Sequence, residues 1–230
     1  MKRKNIFKVF LVLFIFGILT SFRDKLFQNY SLYLMPKEYK IIKNSVDKLA
    51  SKNYLGDREI SFFIGSGSYM DIRAKELGLC KDEQCWYYIN LSPYKNYKNV
   101  QDINLNELIK QSYFFNGIEA YAWNGIVWLS KSTFRTYGER TDFLNCTIGH
   151  ELSHVIFNDH IEKEIKLSEK LDELKIKDLK KIEEKEKFIG FELGRESEMI
   201  ADNNAAKMLI HAGYPKETCL DELTFLTESS

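Results

Sequence analysis

The chain opens with an uncharged apolar run over residues 9–22, set directly behind four basic side chains, Lys2, Arg3, Lys4 and Lys8. A basic cluster followed by an unbroken apolar stretch marks a targeting or anchoring segment, separate from the folded domain. Such a run spans roughly 21 Å as a helix, against a hydrocarbon core of roughly 30 Å, and Lys8 can snorkel so that Ile6 and Phe7 lengthen it. No pair of small residues closes the run, so an uncleaved signal anchor is the first reading and a cleaved signal peptide the second. Either way the positive-inside rule keeps the N-terminus in the cytoplasm and sends the rest of the chain across the membrane. The expected organisation is a leader over 1–22, a stalk and first helix over 23–57, and one folded domain over 58–230.

Within that body, Pro36 starts a helical pattern (Tyr39, Ile41, Ile42, Val46, Leu49) that ends near Asn53. Residues 58–65 and 86–91 are rich in β-branched and aromatic side chains and predict strands. The Gly65-Ser66-Gly67-Ser68 stretch between them lacks the Gly-Lys-Ser/Thr of a phosphate loop and reads as a turn. Residues 105–115 predict a helix. Residues 118–123 and 126–129 flank Asn124-Gly125, the turn chemistry of a two-residue β-hairpin. A helical period returns from residue 142 to about 158. Residues 161–187, with nine acids and nine bases, predict a solvated helical insertion, bounded near 188 and followed by Gly190 and Gly194. A last helix is expected over 195–212, closed by Gly213 with Pro215 beyond it.

Composition narrows the function classes. Lys and Arg number 33, Asp and Glu 33, and 44% of residues are hydrophobic, an ordinary globular balance without the basic footprint of a nucleic-acid binder. Four cysteines suit a compartment outside the cytoplasm: Cys80 and Cys85 are expected to pair, and Cys146 to be buried or disulfide-bonded.

The chemistry concentrates in Gly149-His150-Glu151-Leu152-Ser153-His154. Histidines four apart on a helix lie one turn apart on one face, so His150 and His154 can reach a single zinc ion. Glu151 stands beside them, placed to take a proton from the water that the metal activates. A catalytic zinc needs a third protein ligand and an open position. His160, six residues past His154, resembles the third histidine of the metzincin pattern, but Phe157 stands where that pattern has the glycine that turns the backbone to present it. Glu198 and Asp202, at i and i+4 on the next helix, supply the alternative: Glu198 as ligand, and Asp202 holding a ligand histidine by its second nitrogen. Glu196 points about 200° away round the helix. Ala201, Ala205, Met208 and Ala212 form a narrow apolar stripe that lets this helix pack closely on the histidine helix. Tyr214, Arg195 and His211 are the candidates for stabilising an oxyanion.

These residues resemble the zinc metallopeptidases that include the HtpX heat-shock protease, the CAAX prenyl endopeptidases and the periplasmic protein BepA. Gly-Arg-Glu-Ser-Glu-Met-Ile-Ala-Asp from Gly194 looks like the family's Ser-Arg-x-x-Glu-x-x-Ala-Asp block. Glu119-Ala120-Tyr121-Ala122, leading to Gly125 through Ser130, looks like the hairpin that the family places before its zinc helix. The likeness covers residues 118–215, a little under half the chain, with Glu119 standing where the family usually has Asn and Asn124-Gly125 where it has Pro-Gly-Gly. The resemblance implies that His150, His154 and Glu198 bind Zn2+, that Glu151 is the general base and Asp202 an outer partner, and that Glu119, Ala120 and Tyr121 pair with an extended substrate.

The expectation is an α+β, gluzincin-like metallopeptidase domain: a small β-sheet with an edge hairpin packed on the active-site helix, and a second helix carrying the third zinc ligand. Its function is expected to be zinc-dependent endopeptidase cleavage of protein or peptide substrates, as in protein quality control, on the outer face of the cytoplasmic membrane through a single N-terminal span. A secreted or periplasmic form is the alternative. Two other functions stand beside it, a thermolysin-like secreted peptidase and a non-catalytic zinc-stabilised interaction protein.

Overall fold

The structure, a computed structural model, describes Arg23 and residues 30–31, 33–98, 103–173 and 179–229. The leader expected over 1–22 lies outside the described residues. Among those described, no helix is long and apolar enough to cross a membrane. The chain divides into two compact units, residues 1–43 and 44–230, with the division inside helix α1 (Lys37–Ala50). All the candidate site residues belong to the second unit.

After α1 come β1 (Ser61–Gly65), α2 (Ser68–Glu76), a 3-10 turn (Asp82–Cys85) that runs into α3 (Trp86–Ile89), and α4 (Leu105–Phe115). The hairpin follows as β2 (Ala120–Trp123) and β3 (Ile126–Ser130), then α5 (Lys131–Tyr137) and α6 (Thr141–Phe157). The rest is helical: α7 (Asp159–Glu173), α8 (Leu179–His211) and α9 (Thr218–Ser229).

The three strands form one sheet in the order β1-β3-β2. Strand β3 pairs parallel with β1, placing Ile64 opposite Leu129, and antiparallel with β2, placing Tyr121 opposite Trp128. The middle position explains its apolar sequence: Val127, Trp128 and Leu129 are buried, whereas the edge strand β2 alternates half-buried and exposed. Asn124 and Gly125 turn the hairpin with φ of 46° and 84°, the pair of left-handed residues that a two-residue turn between twisted strands requires. Gly65 has no room for a side chain, because a Cβ there would lie 2.5 Å from the Trp128 indole nitrogen and 2.6 Å from the Ile89 carbonyl.

Three stretches differ from the sequence reading. Residues 86–91, expected as a strand, form α3 and the turn after it. Aromatic content suggested a strand, but Cys85 and Leu91 are buried while Trp86 and Tyr87 are exposed, which is not an alternating pattern. Leu91 packs with Met70, Leu105, Leu108 and Ile109. The helix expected to begin at 195 is the C-terminal half of α8, which passes through Gly190 and Gly194 unbroken. Each glycine costs about 1 kcal/mol of helix propensity; burial of Ile189 and Leu193 continues the apolar stripe through both and outweighs it. Finally, α9 lies beyond Pro215 and has no counterpart in the sequence reading.

Helix α9 is tied to the body covalently and by hydrogen bonds. Cys146 on α6 is bonded to Cys219, and Cys80 to Cys85. The buried Glu222 carboxylate accepts hydrogen bonds from the Tyr137 hydroxyl and, at 3.1 Å, from the Thr147 hydroxyl. Closing a loop constrains the unfolded chain more as the loop lengthens, so the Cys146–Cys219 bond, with a sequence separation of 73 against 5 for the other, is the stronger staple. Serine at both Cys146 and Cys219 is expected to lower the unfolding free energy by about 4 kcal/mol, and serine at both Cys80 and Cys85 by about 2 kcal/mol. Urea denaturation of the two double variants, with metal chelated, checks this; equal losses contradict it.

Candidate metal centre

The site is built where α6 crosses α8. Ile148 and Leu152 on α6 and Ala201, Ala205 and Leu209 on α8 are buried, so each helix presents its apolar stripe to the core. Gly149 allows the backbones to approach: a Cβ there would already lie 3.4 Å from Ala205 Cα, Ala205 Cβ and Leu209 Cδ1. The Asn204 amide donates across the crossing to the Ser153 hydroxyl at 3.0 Å. The crossing brings together the side chains within about two turns of it on each helix, His150 and His154 on one and Glu198 and Asp202 on the other.

Three ligand atoms converge. His150 Nε2 lies 3.0 Å from His154 Nε2 and 3.0 Å from Glu198 Oε2, and His154 Nε2 lies 3.6 Å from the same oxygen. A tetrahedral zinc with bonds of about 2.0–2.1 Å separates its ligand atoms by about 3.3 Å, so the three form one face of such a tetrahedron. Among the described residues these three are the group able to hold a metal ion, all ligand atoms being within 4.8 Å of one another. The donor set, two imidazoles and one carboxylate with the fourth side facing a cavity, fits zinc.

The other ring nitrogens are held as well. His150 Nδ1 is 2.8 Å from Asp202 Oδ1, and His154 Nδ1 is 2.7 Å from Asp159 Oδ2, which also accepts from the Ser197 hydroxyl at 2.9 Å. A carboxylate on the far nitrogen fixes the tautomer and turns the near nitrogen toward the metal. Sequence reasoning anticipated Asp202 but missed Asp159 and Ser197. Asp159 is placed by Asn158, which ends α6 in the left-handed conformation with φ 52°, so that the next residue turns back beneath His154. An asparagine helix end followed at once by an acid, five residues after the second histidine, is the signal that was present.

The electrostatics agree with this arrangement. Burial pulls the His150 pKa down, but its hydrogen bond to Glu198 and the charges of Glu151 and Asp202 hold it up at about 9. His154 is raised too, burial being outweighed by bonds to Glu198 and Asp159. Hydrogen bonds from both histidines hold the Glu198 carboxyl well below the usual carboxylate range. Glu151 is 6% exposed; burial pushes it up to about 7, against the pull of both histidines. Four carboxylates, Glu151, Asp159, Glu198 and Asp202, thus surround two imidazoles, an excess of negative charge that a divalent cation neutralises.

An open cavity of about 270 Å3 faces this cluster, lined by Glu151, the two histidines, Glu198 and residues 120–124 of the hairpin. Ala120 and Tyr121 border the cavity. Glu119 does not: its carboxylate accepts from the Ser68 amide and hydroxyl, its amide donates to Thr133, and its carbonyl accepts from Ser130. Its backbone is spent on shaping the start of the hairpin. The sequence gives no sign of this, since the partners are up to 51 residues away. His160 lines the cavity rim, 6.1 Å from the Trp123 ring, outside the ligand group. Glu196 lies on the α7 side with Glu162 and Lys166. Tyr214, Arg195 and His211 do not line the cavity; Tyr214 accepts from Asn145 and His211 meets Asn53.

No family model, no curated protein and no solved structure matches the chain. What the centre can do is therefore argued from its own geometry.

Replacing Glu198 by Ala should abolish stable zinc binding. Asp159→Asn and Asp202→Asn should each weaken it by about 10- to 100-fold, as read by competition with a chromophoric chelator. Gly149→Leu, which forces the helices apart, should lower affinity more than Gly149→Ala. An unchanged affinity in Asp159→Asn contradicts its orienting role.

Proposed function

We propose that this chain is a zinc-dependent endopeptidase, acting on protein substrates outside the cytoplasm, with an α+β gluzincin-like domain. The observation that carries the reading is the placement of a buried carboxyl, Glu151, raised to about 7, beside three converging ligand atoms in an open cavity. A purely structural metal site has no need of a titratable acid beside its ligands, and closes its coordination with a fourth protein ligand.

His150, His154 and Glu198 would hold the ion, with Asp202 and Asp159 keeping both rings in register. A bound zinc ion would supply Lewis-acid activation of the attacked carbonyl and of water. Glu151 takes the proton of the attacking water and passes it to the amine that leaves. Its place between the ligand atoms and the cavity lets one carboxylate serve both halves of that transfer. Strand β2 is an edge of the sheet, and Ala120 and Tyr121 offer an extended peptide a partner along the cavity. Arg58, His160 and Lys163 also line it and replace Tyr214, Arg195 and His211 as the candidate donors to an oxyanion. Two disulfides and the basic, then apolar, leader support a location outside the cytoplasm, with the membrane reached through residues 1–22.

Glu151→Gln preserves size and hydrogen bonding but cannot take a proton. It is expected to retain one zinc per chain while casein cleavage falls by about a thousandfold or more; chelation should abolish wild-type cleavage and added zinc restore it. Zinc-loaded wild type that cleaves no unfolded substrate refutes the proposal and leaves a zinc-stabilised binding module.

A further inference from the structure

A second cavity, of about 380 Å3, lies on the other side of His150. It shares His150, Glu151 and Ala120 with the first, so the two meet at the proton-transferring carboxylate. Its walls differ in character. Ala205 and Ala206 of α8 leave the space, and Leu220, Leu223 and Leu226 of α9 give it most of its apolar surface, while Asp202, Asn203 and Lys216 also line it. The wall is fixed: the Cys146–Cys219 bond is part of it, and the Glu222 carboxylate beside it is bound by Tyr137 and Thr147. The volume falls within the range of about 300–1,000 Å3 of pockets that hold small ligands, ample for a large side chain.

The first cavity runs along β2, residues 120–124. An extended chain laid there advances about 3.3 Å per residue with side chains alternating in direction. When its reacting carbonyl reaches Glu151, the neighbouring residue stands at the mouth of the second cavity. We infer that this second cavity is the specificity pocket of the centre, taking a large apolar side chain from the substrate residue on one fixed side of the cleaved bond, with Ala206 setting its depth and Leu223 its polarity. The inference rests on the peptidase reading and adds to it the class of substrate. Helix α9 lies beyond the stretch in which the family resemblance was read, so the selectivity is a property of this chain's own C-terminal residues.

The test begins with a casein digest by the zinc-loaded protein, its cleavage sites mapped by mass spectrometry. Leu, Phe, Ile or Met should dominate at one position flanking the cut. Two quenched peptides identical except for Leu or Ala at that position should then differ about 30-fold or more in kcat/KM. Ala206→Phe, which fills the cavity, and Leu223→Asp, which places a charge on its wall at a residue 41% exposed, should each shrink that ratio at least tenfold. Both should still take up one zinc per chain, as read by competition with a chromophoric chelator, so that the lost ratio reports the pocket and not the metal centre. Glu151-dependent cleavage without a side-chain preference, or with a preference that neither variant alters, overturns the pocket and leaves the peptidase reading standing. Absence of any cleavage by the zinc-loaded wild type overturns both.

Discussion

The close crossing of α6 and α8 is the constraint on which the site depends. Gly149 faces Ala205 with no space beyond a β-carbon, and that contact sets the distance between the two helices. Each helix carries its functional side chains within about two turns of this point, so small errors in the crossing would be carried straight to the ligand atoms. The hydrophobic burial of Ile148, Leu152, Ala201 and Leu209 therefore does more than stabilise the fold. It holds Glu198 where two imidazoles already wait.

Around that crossing, each histidine is caught between two carboxylates, one on each ring nitrogen. Asp202 comes from α8 and Asp159 from the turn that ends α6, so the rings are fixed from two directions. The result is a negatively charged hollow in which every acid but one is committed to an imidazole. Glu151 is the exception, and its distinction is burial. The same helices supply the wall of the second cavity, where α9 is clamped by a disulfide and by buried hydroxyl–carboxylate bonds. On the proposed reading, metal, proton transfer and substrate recognition draw on one small set of helix contacts.

Much of this could be read from residues alone, for physical reasons. Histidines at i and i+4 and acids at i and i+4 have their relative positions dictated by helix geometry, so His150, His154, Glu198 and Asp202 were placed by spacing. The hairpin was legible because Asn124-Gly125 has few other uses between two apolar runs. Residues 86–91 misled because aromatic content resembles a strand when burial spacing is not visible. Gly190 and Gly194 suggested a helix end, yet packing of Ile189 and Leu193 overrode propensity. Asp159, the backbone bonding of Glu119 and the second cavity depend on contacts between distant segments, to which local pattern gives no access.

The convergence of His150, His154 and Glu198 on one ion is most directly tested by X-ray absorption at the zinc edge of the loaded protein. With all four cysteines in disulfides, the account predicts a shell of nitrogen and oxygen only, at about 2.0–2.1 Å, with the multiple scattering of two imidazoles. The Glu198→Ala protein should lose that shell. A sulfur contribution at about 2.3 Å, or a wild-type chain that takes up no zinc, would contradict it.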